Sequence, residues 1–332
     1  MRSVAIFLLA YSINALAVDE APVEIIPLAA PLDQAKAELS GLSWCGDKLI
    51  LLPQYPERLS GDGESYFYYL ERQQITDYLN RVSTKALKAK PIKVNEKTLR
   101  KAVSIFDGFE AIACDGSDVW LSIEAVNFLG KYQSFVVSAT ISFDGQAKIN
   151  IDQQKLVFLS SQSKMRNIGD EAIIIAGNNV IAVHEVNDQK LVATPKAKQV
   201  SQTNQSITEL DFPHIPYRIT DATKVDHNNR FWAINYKYSG DKFSRNSHDA
   251  ITEKHGEGES HKQYYNVERL IEFSIENSNI KLTESAPIPL RMNHVEGRNW
   301  EGLVRLENQG FLLVTDKHPA TLLGFVRRPK KE

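Results

Sequence analysis

The chain repeats one pattern of apolar and polar positions. An acidic or small polar residue opens a short apolar run, a tight turn rich in Gly, Asn and Asp follows, and a second apolar run ends the pattern. Runs such as "VWLSI" are apolar at nearly every position, which is typical of strands buried on both faces. The turn residues favour sharp chain reversals. We predict a β-hairpin at each of five copies, which open at Ser40, Glu110, Glu171, Asp221 and Glu301.

The spacing of the copies predicts a β-propeller. They open 50 to 80 residues apart, which exceeds a solenoid repeat and suits propeller blades of about 40 to 50 residues with added loops. Runs such as "YQSFVVSATIS" and "RLIEFSI" lie between the copies and supply the remaining strands of each blade. We therefore predict an all-β chain with five blades. Six blades is the alternative, if residues 235–298 contain a degenerate copy.

The two ends of the chain are predicted to complete one blade. After the fifth copy, residues 321–328 provide one more strand, and the missing strand is available before the first copy, at residues 23–30. Pairing these two segments would leave no ragged strand edge in the ring. We predict that the N- and C-terminal strands close the propeller.

The first seventeen residues, "MRSVAIFLLAYSINALA", have the layout of a secretory signal peptide. One Arg precedes a short apolar run, and a small-residue cleavage site ends it. We predict cleavage after Ala17, export to the periplasm or medium, and a single propeller domain over residues 18–332. An uncleaved membrane anchor is the alternative. No later stretch is long enough to span a bilayer.

A polar segment at residues 239–263 interrupts the strand pattern. It has almost no apolar periodicity, which is typical of an exposed, mobile loop inserted into the domain. It carries three histidines, for which a metal site is the alternative to simple solvation. These histidines are His248, His255 and His261.

Composition narrows the classes of partner and cofactor. The 332 residues are 42% hydrophobic and 24% charged, with a net charge of −2. This is ordinary for a globular protein, and it lacks the basic excess of a nucleic-acid-binding surface. The sequence contains no nucleophile elbow, zinc-peptidase signature or phosphate-binding loop. We expect no nucleotide or organic cofactor. The sequence gives no indication of the oligomeric state.

Two cysteines, Cys45 and Cys114, lie one position apart in the repeat register of copies one and two. In a propeller these hairpins belong to neighbouring blades, and an oxidising compartment permits one disulfide. Two buried thiols are the alternative. A disulfide would require Cα atoms about 5.5 Å apart.

The acidic residues of the repeats are predicted to converge at one end of the central channel. Equivalent positions of successive blades face the same channel, so the opening acids form a partial ring and two further acids form a second set. Converging carboxylates repel one another unless something compensates their charge. Ca²⁺ would compensate them, because it binds carboxylate, carbonyl and water oxygens. The candidate ligands are Glu110, Glu171, Asp221, Glu301, Glu124 and Glu185.

Arginines offer the alternative to a metal. Arg166, Arg218 and Arg298 each precede one of the opening acids. They could pair with those acids in a structural ring, or bind an anionic ligand instead. The sequence leaves these readings open.

Four residues near the last hairpin are further candidates for the channel mouth. Trp300 precedes the fifth opening acid, and Asp316, Lys317 and His318 follow the last strand of the hairpin. A surface histidine is the alternative to a functional His318. The other tryptophans, which are Trp44, Trp120 and Trp232, are predicted to pack between blades.

Three stretches resemble one known family. "GFEAIACDGSDVWLSIEA", "TDATKVDHNNRFWAINYKY" and "NWEGLVRLENQGFLLVTDKHP" are similar to segments of the "esterase-like activity of phytase" family of exported bacterial β-propellers. The resemblance extends from about Glu38 to Val326, and Ser40 departs from it by replacing the opening acid. It implies hydrolysis of phosphate or carboxylate esters, and calcium is the metal ion that would assist it.

Two other functional classes stay open, because a propeller fold does not determine function. One is a non-catalytic propeller that binds a small anionic ligand or an envelope protein at the channel mouth. The other is a structural component of the cell envelope. We expect neither nucleic acid nor a membrane span in any of these readings.

Overall fold

The fold follows from the strand pairing of a computed structural model, which describes residues 18–163, 165, 168–241, 244, 247–293 and 296–329. The predicted signal peptide and Arg166 lie outside the described residues. In chain order the strands are β1 (Val23–Ile26), β2 (Leu39–Cys45), β3 (Lys48–Pro53), β4 (Ser65–Glu71), β5 (Lys90–Asn95), β6 (Ile105–Asp115), β7 (Asp118–Val126), β8 (Tyr132–Ser142), β9 (Lys148–Leu159), β10 (Asp170–Ala176), β11 (Asn179–His184), β12 (Val186–Asn187), β13 (Lys196–Ser201), β14 (Ile207–Asp211), β15 (Ile215–Ala222), β16 (Arg230–Lys237), β17 (Val267–Glu276), β18 (Asn279–Leu282), β19 (Ile288–Pro289), β20 (Trp300–Leu306), β21 (Gly310–Thr315) and β22 (Leu323–Arg327).

These strands form five antiparallel units of four strands within the described ranges. Unit one is β2–β5, unit two is β6–β9, unit three is β10, β11, β13 and β14, unit four is β15–β18, and unit five is β20–β22 with β1. The outer strands of units one and two pair in parallel, as do those of units three and four. The short strands β12 and β19 add to unit four.

The first strands of the units are arranged in a ring. Strand β2 contacts β6 and β20, β6 contacts β10, β10 contacts β15, and β15 contacts β20. Five units around one axis are the architecture of a β-propeller. The predicted propeller fold is confirmed, and we interpret the five units as five blades.

Apolar clusters fill the space between every pair of neighbouring units. Successive side chains of one strand point to opposite faces, so each strand contributes to two clusters. In β21, Leu312 and Val314 pack towards unit one, whereas Phe311 and Leu313 pack towards unit four. This explains why the repeated runs are apolar at nearly every position.

The predicted closure by the chain termini is confirmed. Strand β1 pairs antiparallel with β22, with Val23 opposite Val326 and Ile26 opposite Leu323. The N-terminal strand is therefore the outermost strand of unit five, and residues from both ends of the sequence complete one sheet.

The described residues also form four short helices, which are α1 (Arg72–Leu79), α2 (Lys97–Ala102), α3 (Ala250–His255) and α4 (Glu259–Tyr264). Two 3-10 turns cover Ala35–Ala37 and Pro56–Arg58. No helix among the described residues has the length and apolar character needed to cross a membrane.

Helices α3 and α4 lie in the segment predicted to be a solvated loop. His248 is exposed, but His261 is 4% exposed, and its Nδ1 lies 2.7 Å from a carboxylate oxygen of Glu20. Expecting all three histidines of this segment to be solvated was therefore wrong for His261. The local sequence could not predict this pairing, because Glu20 lies near the N-terminus, far from His261 in the chain.

The two cysteines join units one and two. Cys45 ends β2 and Cys114 lies near the end of β6, and the structure connects them by a disulfide with Cα atoms 5.3 Å apart. The bond lies at the turn end of the hairpins, which is opposite the acidic ends of the same strands.

Candidate functional site

The ring of hairpins brings their polar ends together at one end of the channel. The first strands begin there, and the second strands of the hairpins end there, because the two run antiparallel. A cavity of 820 Å³ opens between these ends. We call it the channel-mouth cavity. Its acidic lining residues among those described are Glu110, Glu124, Glu171, Glu185, Glu296, Glu301 and Asp316.

Few cationic groups of the described residues face these acids. The basic lining residues in the described part of the chain are Arg218, Lys317 and His318. Three tyrosines, which are Tyr55, Tyr236 and Tyr238, line the same space. The cavity therefore combines an excess of carboxyl groups with aromatic surface.

Glu110 begins the acidic set in unit two. Its carboxylate oxygens accept hydrogen bonds of 3.1 and 3.3 Å from Nε2 of Gln54, which follows the second strand of unit one. Burial raises the pKa of Glu110 to about 8, and the bond from Gln54 opposes this rise because it favours the charged form.

Glu124 lies at the end of β7 and is 4% exposed. Its Oε1 is buried and has no hydrogen-bond partner among the described residues. Burial raises the pKa of Glu124 to about 9, with a further contribution from the charge of Glu110. Gly169 packs closely against this carboxyl. A Cβ atom at position 169 would lie too close to Oε1 and clash with it. The absence of a side chain at this glycine leaves space for the Glu124 carboxyl.

Glu171 and Glu301 occupy the equivalent positions of units three and five. Burial raises the pKa of both carboxyls well above the usual range, and neighbouring carboxylates add to the effect. Glu301 accepts a short hydrogen bond from Nδ2 of Asn299. Burial also raises the pKa of Asp316, whose Oδ1 accepts a 2.7 Å bond from the backbone N–H of His318. Burial thus favours the protonated form of each of these groups more than water would.

Glu185 is the one lining glutamate with an arginine partner among the described ion pairs. Arg218 bonds to its Oε1 and also holds Asp241, with Nη2 2.8 Å from Oδ1. The other oxygen of Glu185, Oε2, is buried and has no hydrogen-bond partner in the part of the chain that the structure describes. Burial raises the pKa of Glu185, while the charge of Arg218 lowers it. Glu185 is consequently the buried carboxyl of this set whose ionised form has a cation beside it.

Asp221 does not join the cavity, although it opens the fourth repeat. Its side chain is buried, and Oδ2 accepts a 2.7 Å hydrogen bond from the backbone N–H of Leu303 in unit five. An aspartate is one methylene shorter than the glutamates at the equivalent positions. The prediction that Asp221 belongs to a channel-facing ring of ligands is corrected, since this carboxyl ties two units together.

Arg298 and Trp300 also lie away from the cavity. Both bind the buried carboxylate of Glu268, with Arg298 Nε and Trp300 Nε1 at 2.9 and 2.8 Å from Oε2. Trp300 is fully buried in the cluster between units four and five. The expectation that Trp300 lines the mouth, and that Arg298 pairs with Glu301, was wrong because Glu268 satisfies both donors.

Lys317 and His318 lie on the exposed rim, as expected for the loop after the last hairpin. Lys317 Nζ is 3.2 Å from Oε2 of Glu38. Ser40, which replaces the opening acid of copy one, lines the cavity and donates a 2.6 Å bond to the carbonyl of Phe109. Its hydroxyl links units one and two where the other repeats place a carboxyl.

Sequence reasoning missed the aromatic side of the cavity. Tyr236 and Tyr238 lie at and just after the end of β16, and their rings are stacked with centroids 6.4 Å apart. Tyr55 directly follows Gln54, which lies fourteen residues after Ser40, as Glu124 lies fourteen residues after Glu110. This equivalent position was a usable signal for Gln54. Asn299 and Glu296 come from the loop before β20, and no periodicity marks them.

The carboxyl groups are spread around the cavity. Among the described residues, no group of three or more His, Cys, Asp or Glu side chains has an arrangement that could hold a metal ion. The donors have the chemistry that Ca²⁺ prefers, but their positions do not provide its coordination shell. The unpartnered oxygens of Glu124 and Glu185 belong to side chains on neighbouring units.

Comparisons with known proteins give likenesses of fold. No protein-family model and no curated protein matches the chain. Among solved structures it is similar to the soluble aldose sugar dehydrogenase from Escherichia coli, at 10% identity and a TM-score of 0.47, covering 93% of this chain and 99% of that one. A glucose dehydrogenase has 9% identity and a TM-score of 0.48, with 92% and 99% covered.

A third similar structure is the xylan β-1,4-xylosidase from Bacillus halodurans C-125, at 11% identity and a TM-score of 0.47. The match covers 92% of this chain and 51% of that enzyme. At these identities the likeness concerns the fold, and the substrates of these enzymes are not transferred to this chain. The chain is a β-propeller with a carboxyl-rich cavity at one end of its channel.

Proposed function

We propose that this chain is an exported, phytase-like propeller hydrolase that cleaves esters in the channel-mouth cavity. One observation carries the proposal: several buried carboxyl groups from different units face one cavity to which the described residues contribute few cations, and the pKa values of Glu110 and Glu124 are raised to about 8 and 9. Carboxyl groups that titrate near the working pH are suited to general acid–base catalysis.

The environments of two carboxyls suggest their roles. Arg218 stabilises the charged form of Glu185, so this carboxylate is our candidate base. It would take a proton from water as the water oxygen adds to the ester carbonyl carbon. Burial raises the pKa of Glu124 to about 9, so its protonated form would give its proton to the alcohol oxygen as the acyl–oxygen bond breaks. The products are a carboxylic acid and an alcohol. Glu185 then releases its proton to solvent, and Glu124 takes one up.

Acyl esters suit this cavity better than phosphate esters. A phosphate group is anionic, and ionised carboxylates would repel it at close range. Calcium-assisted cleavage of phosphate esters is the second candidate, because the unpartnered oxygens of Glu124 and Glu185 are suitable donors. It requires the carboxyl groups to move together, or the ligand and water to supply the remaining oxygens.

Activity assays on matched variants test the proposal. Purified protein is assayed on generic acyl and phosphate esters across pH 5 to 10, with chelator and with Ca²⁺. We expect Glu124→Gln to lower acyl esterase activity by roughly 10² to 10⁴-fold, whereas Glu209→Gln on the exposed surface of β14 leaves it unchanged. Equal activity of Glu124→Gln and wild type would overturn the assigned role. Absence of any ester cleavage would leave a non-catalytic binding propeller.

Export is the second part of the proposal. It rests on the pattern of residues 1–17, and cell fractionation with N-terminal sequencing tests it. We expect the mature chain to begin at Val18 and to leave the cytoplasm. An intact Met1 on cytoplasmic protein would contradict export.

A further inference from the structure

The channel-mouth cavity has an unusual combination of vacant hydrogen-bonding positions and aromatic surface. Glu124 Oε1 and Glu185 Oε2 are buried acceptors that no described group satisfies. An unsatisfied buried acceptor is costly, so native proteins usually pair it with a ligand, water or ion. Both residues line the cavity, and a rotation of each side chain would turn its enclosed oxygen towards a ligand there.

The spacing of the carboxyls favours an extended cation over a metal ion. A Ca²⁺ ion gathers six to eight oxygens at about 2.3–2.6 Å, and the described side chains do not converge in that way. An organic cation with separated ammonium groups makes a few directional hydrogen bonds to each carboxylate instead. It can therefore use donors that lie on different units.

The tyrosines give the alkyl part and the charge of such a ligand a surface to contact. The face of an aromatic ring attracts cations. Tyr55 already binds one in this way, since the guanidinium of Arg58 lies 3.5 Å from its ring centroid. Tyr238 is 43% exposed, so much of its ring is available for contact.

We propose that the channel-mouth cavity binds a small alkylamine that carries two or more ammonium groups, held by Glu124 and Glu185 and packed against the tyrosines. A volume of 820 Å³ is ample for such a molecule. The inference rests on the proposed function in taking this cavity as the working site, and it names the class of alcohol or ligand that the site selects. An ester of an amino alcohol carries a single ammonium group, which the remaining carboxyls of the cavity can hold while Glu124 keeps its proton, so it is then a better substrate than an ester of a neutral alcohol.

Direct binding tests the inference without any catalytic assay. Putrescine is titrated into purified full-length protein at pH 8.5 by calorimetry, with 1,4-butanediol as its uncharged analogue. We expect putrescine to bind, butanediol not to bind, and Glu124→Gln to weaken putrescine binding by about tenfold, the loss of one charge-assisted hydrogen bond. Glu209→Gln is the control for general surface charge, because this exposed glutamate lies on β14 outside the cavity.

Proton release provides a second readout. An ammonium group binds the ionised carboxyls, so binding should displace protons from them, and affinity should rise between pH 6 and pH 9 while the amines stay charged. Calorimetry in buffers of different ionisation enthalpy measures the protons released. Failure of putrescine to bind, or equal binding by Glu124→Gln, overturns the inference. If Ca²⁺ binds and excludes putrescine at the same concentration, the inferred amine site is wrong and the cavity is a metal site.

Paired substrates separate this inference from the proposed function. The acetyl ester of an amino alcohol is compared with the ester of the matching neutral alcohol. We expect kcat/KM to favour the amino ester by about tenfold. Equal cleavage of both esters overturns the inference and leaves the hydrolase intact. Putrescine binding without cleavage of either ester overturns the hydrolase and supports the binding site.

Discussion

Gln54 of unit one donates hydrogen bonds to both carboxylate oxygens of Glu110 in unit two, at 3.1 and 3.3 Å. This contact joins neighbouring units at the cavity and favours the ionised form of Glu110. Gln54→Leu should therefore raise the pKa of Glu110 above about 8. Carbon-detected NMR titration of the glutamate carboxyls measures this shift. Gln54→Glu adds a nearby acid and should raise the pKa further, and an unchanged pKa in both variants would contradict the assignment.

The stability of the fold should fall as the pH rises. The folded-state pKa values of Glu110 and Glu124, about 8 and 9, lie above the ordinary value of 4.5. The folded chain then binds more protons than the unfolded chain between roughly pH 4.5 and pH 9, and stability decreases across that window. Glu124→Gln removes one of these groups, so its melting temperature should depend less on pH. Glu209→Gln should follow the wild-type curve, and parallel curves for all three proteins would contradict this account.

The disulfide should contribute to stability. Cys45 and Cys114 are 69 positions apart in the sequence, and a crosslink of this kind stabilises a fold by roughly 2–4 kcal/mol. The double variant Cys45→Ala, Cys114→Ala should unfold at lower denaturant concentration than the oxidised protein. Non-reducing peptide mapping of exported protein checks the bond itself, and two free thiols in that map would contradict it.

Deleting residues 23–30 should leave β22 without its outer partner. Leu323 and Phe325 of this strand belong to the cluster between units five and one, and an exposed strand edge promotes aggregation. We expect the truncated protein to form large species in size-exclusion chromatography. Deleting residues 18 and 19, which precede β1, is the matched control and should leave a monodisperse sample. A monodisperse product from the longer deletion would show that the closing pair is dispensable.

Asp221 should behave differently from its repeat equivalents. Asp221→Ala leaves the backbone N–H of Leu303 without its acceptor, which should cost about 1–3 kcal/mol of stability. Because this carboxyl lies away from the cavity, putrescine binding per folded molecule should not change. Glu171→Gln should show the opposite pattern, with altered binding and little loss of stability. Denaturant unfolding and calorimetry on the two variants measure both effects.

The repeat register predicted the fold and part of the site. Burial on both faces and equivalent strand positions were enough to bring Glu110, Glu171 and Glu301 to one cavity. Asp221 does not reach the cavity because its side chain is one methylene shorter than that of glutamate. The repeat pattern treats Asp and Glu alike, so it could not predict this difference. The partner of Arg218, Asp241, comes from outside the hairpin pattern. Contacts of this kind depend on loop geometry, which periodicity does not determine.

The pairing of Val23 with Val326 affects when the molecule can become native. A growing chain can form units one to four from local hairpins, but unit five lacks its outer strand until the earliest and latest segments meet. This contact spans nearly the whole sequence, and contacts of such long range form slowly. Until then the last sheet presents an open edge to other chains. The ring is therefore open to aggregation at this one sheet until both segments have been synthesised.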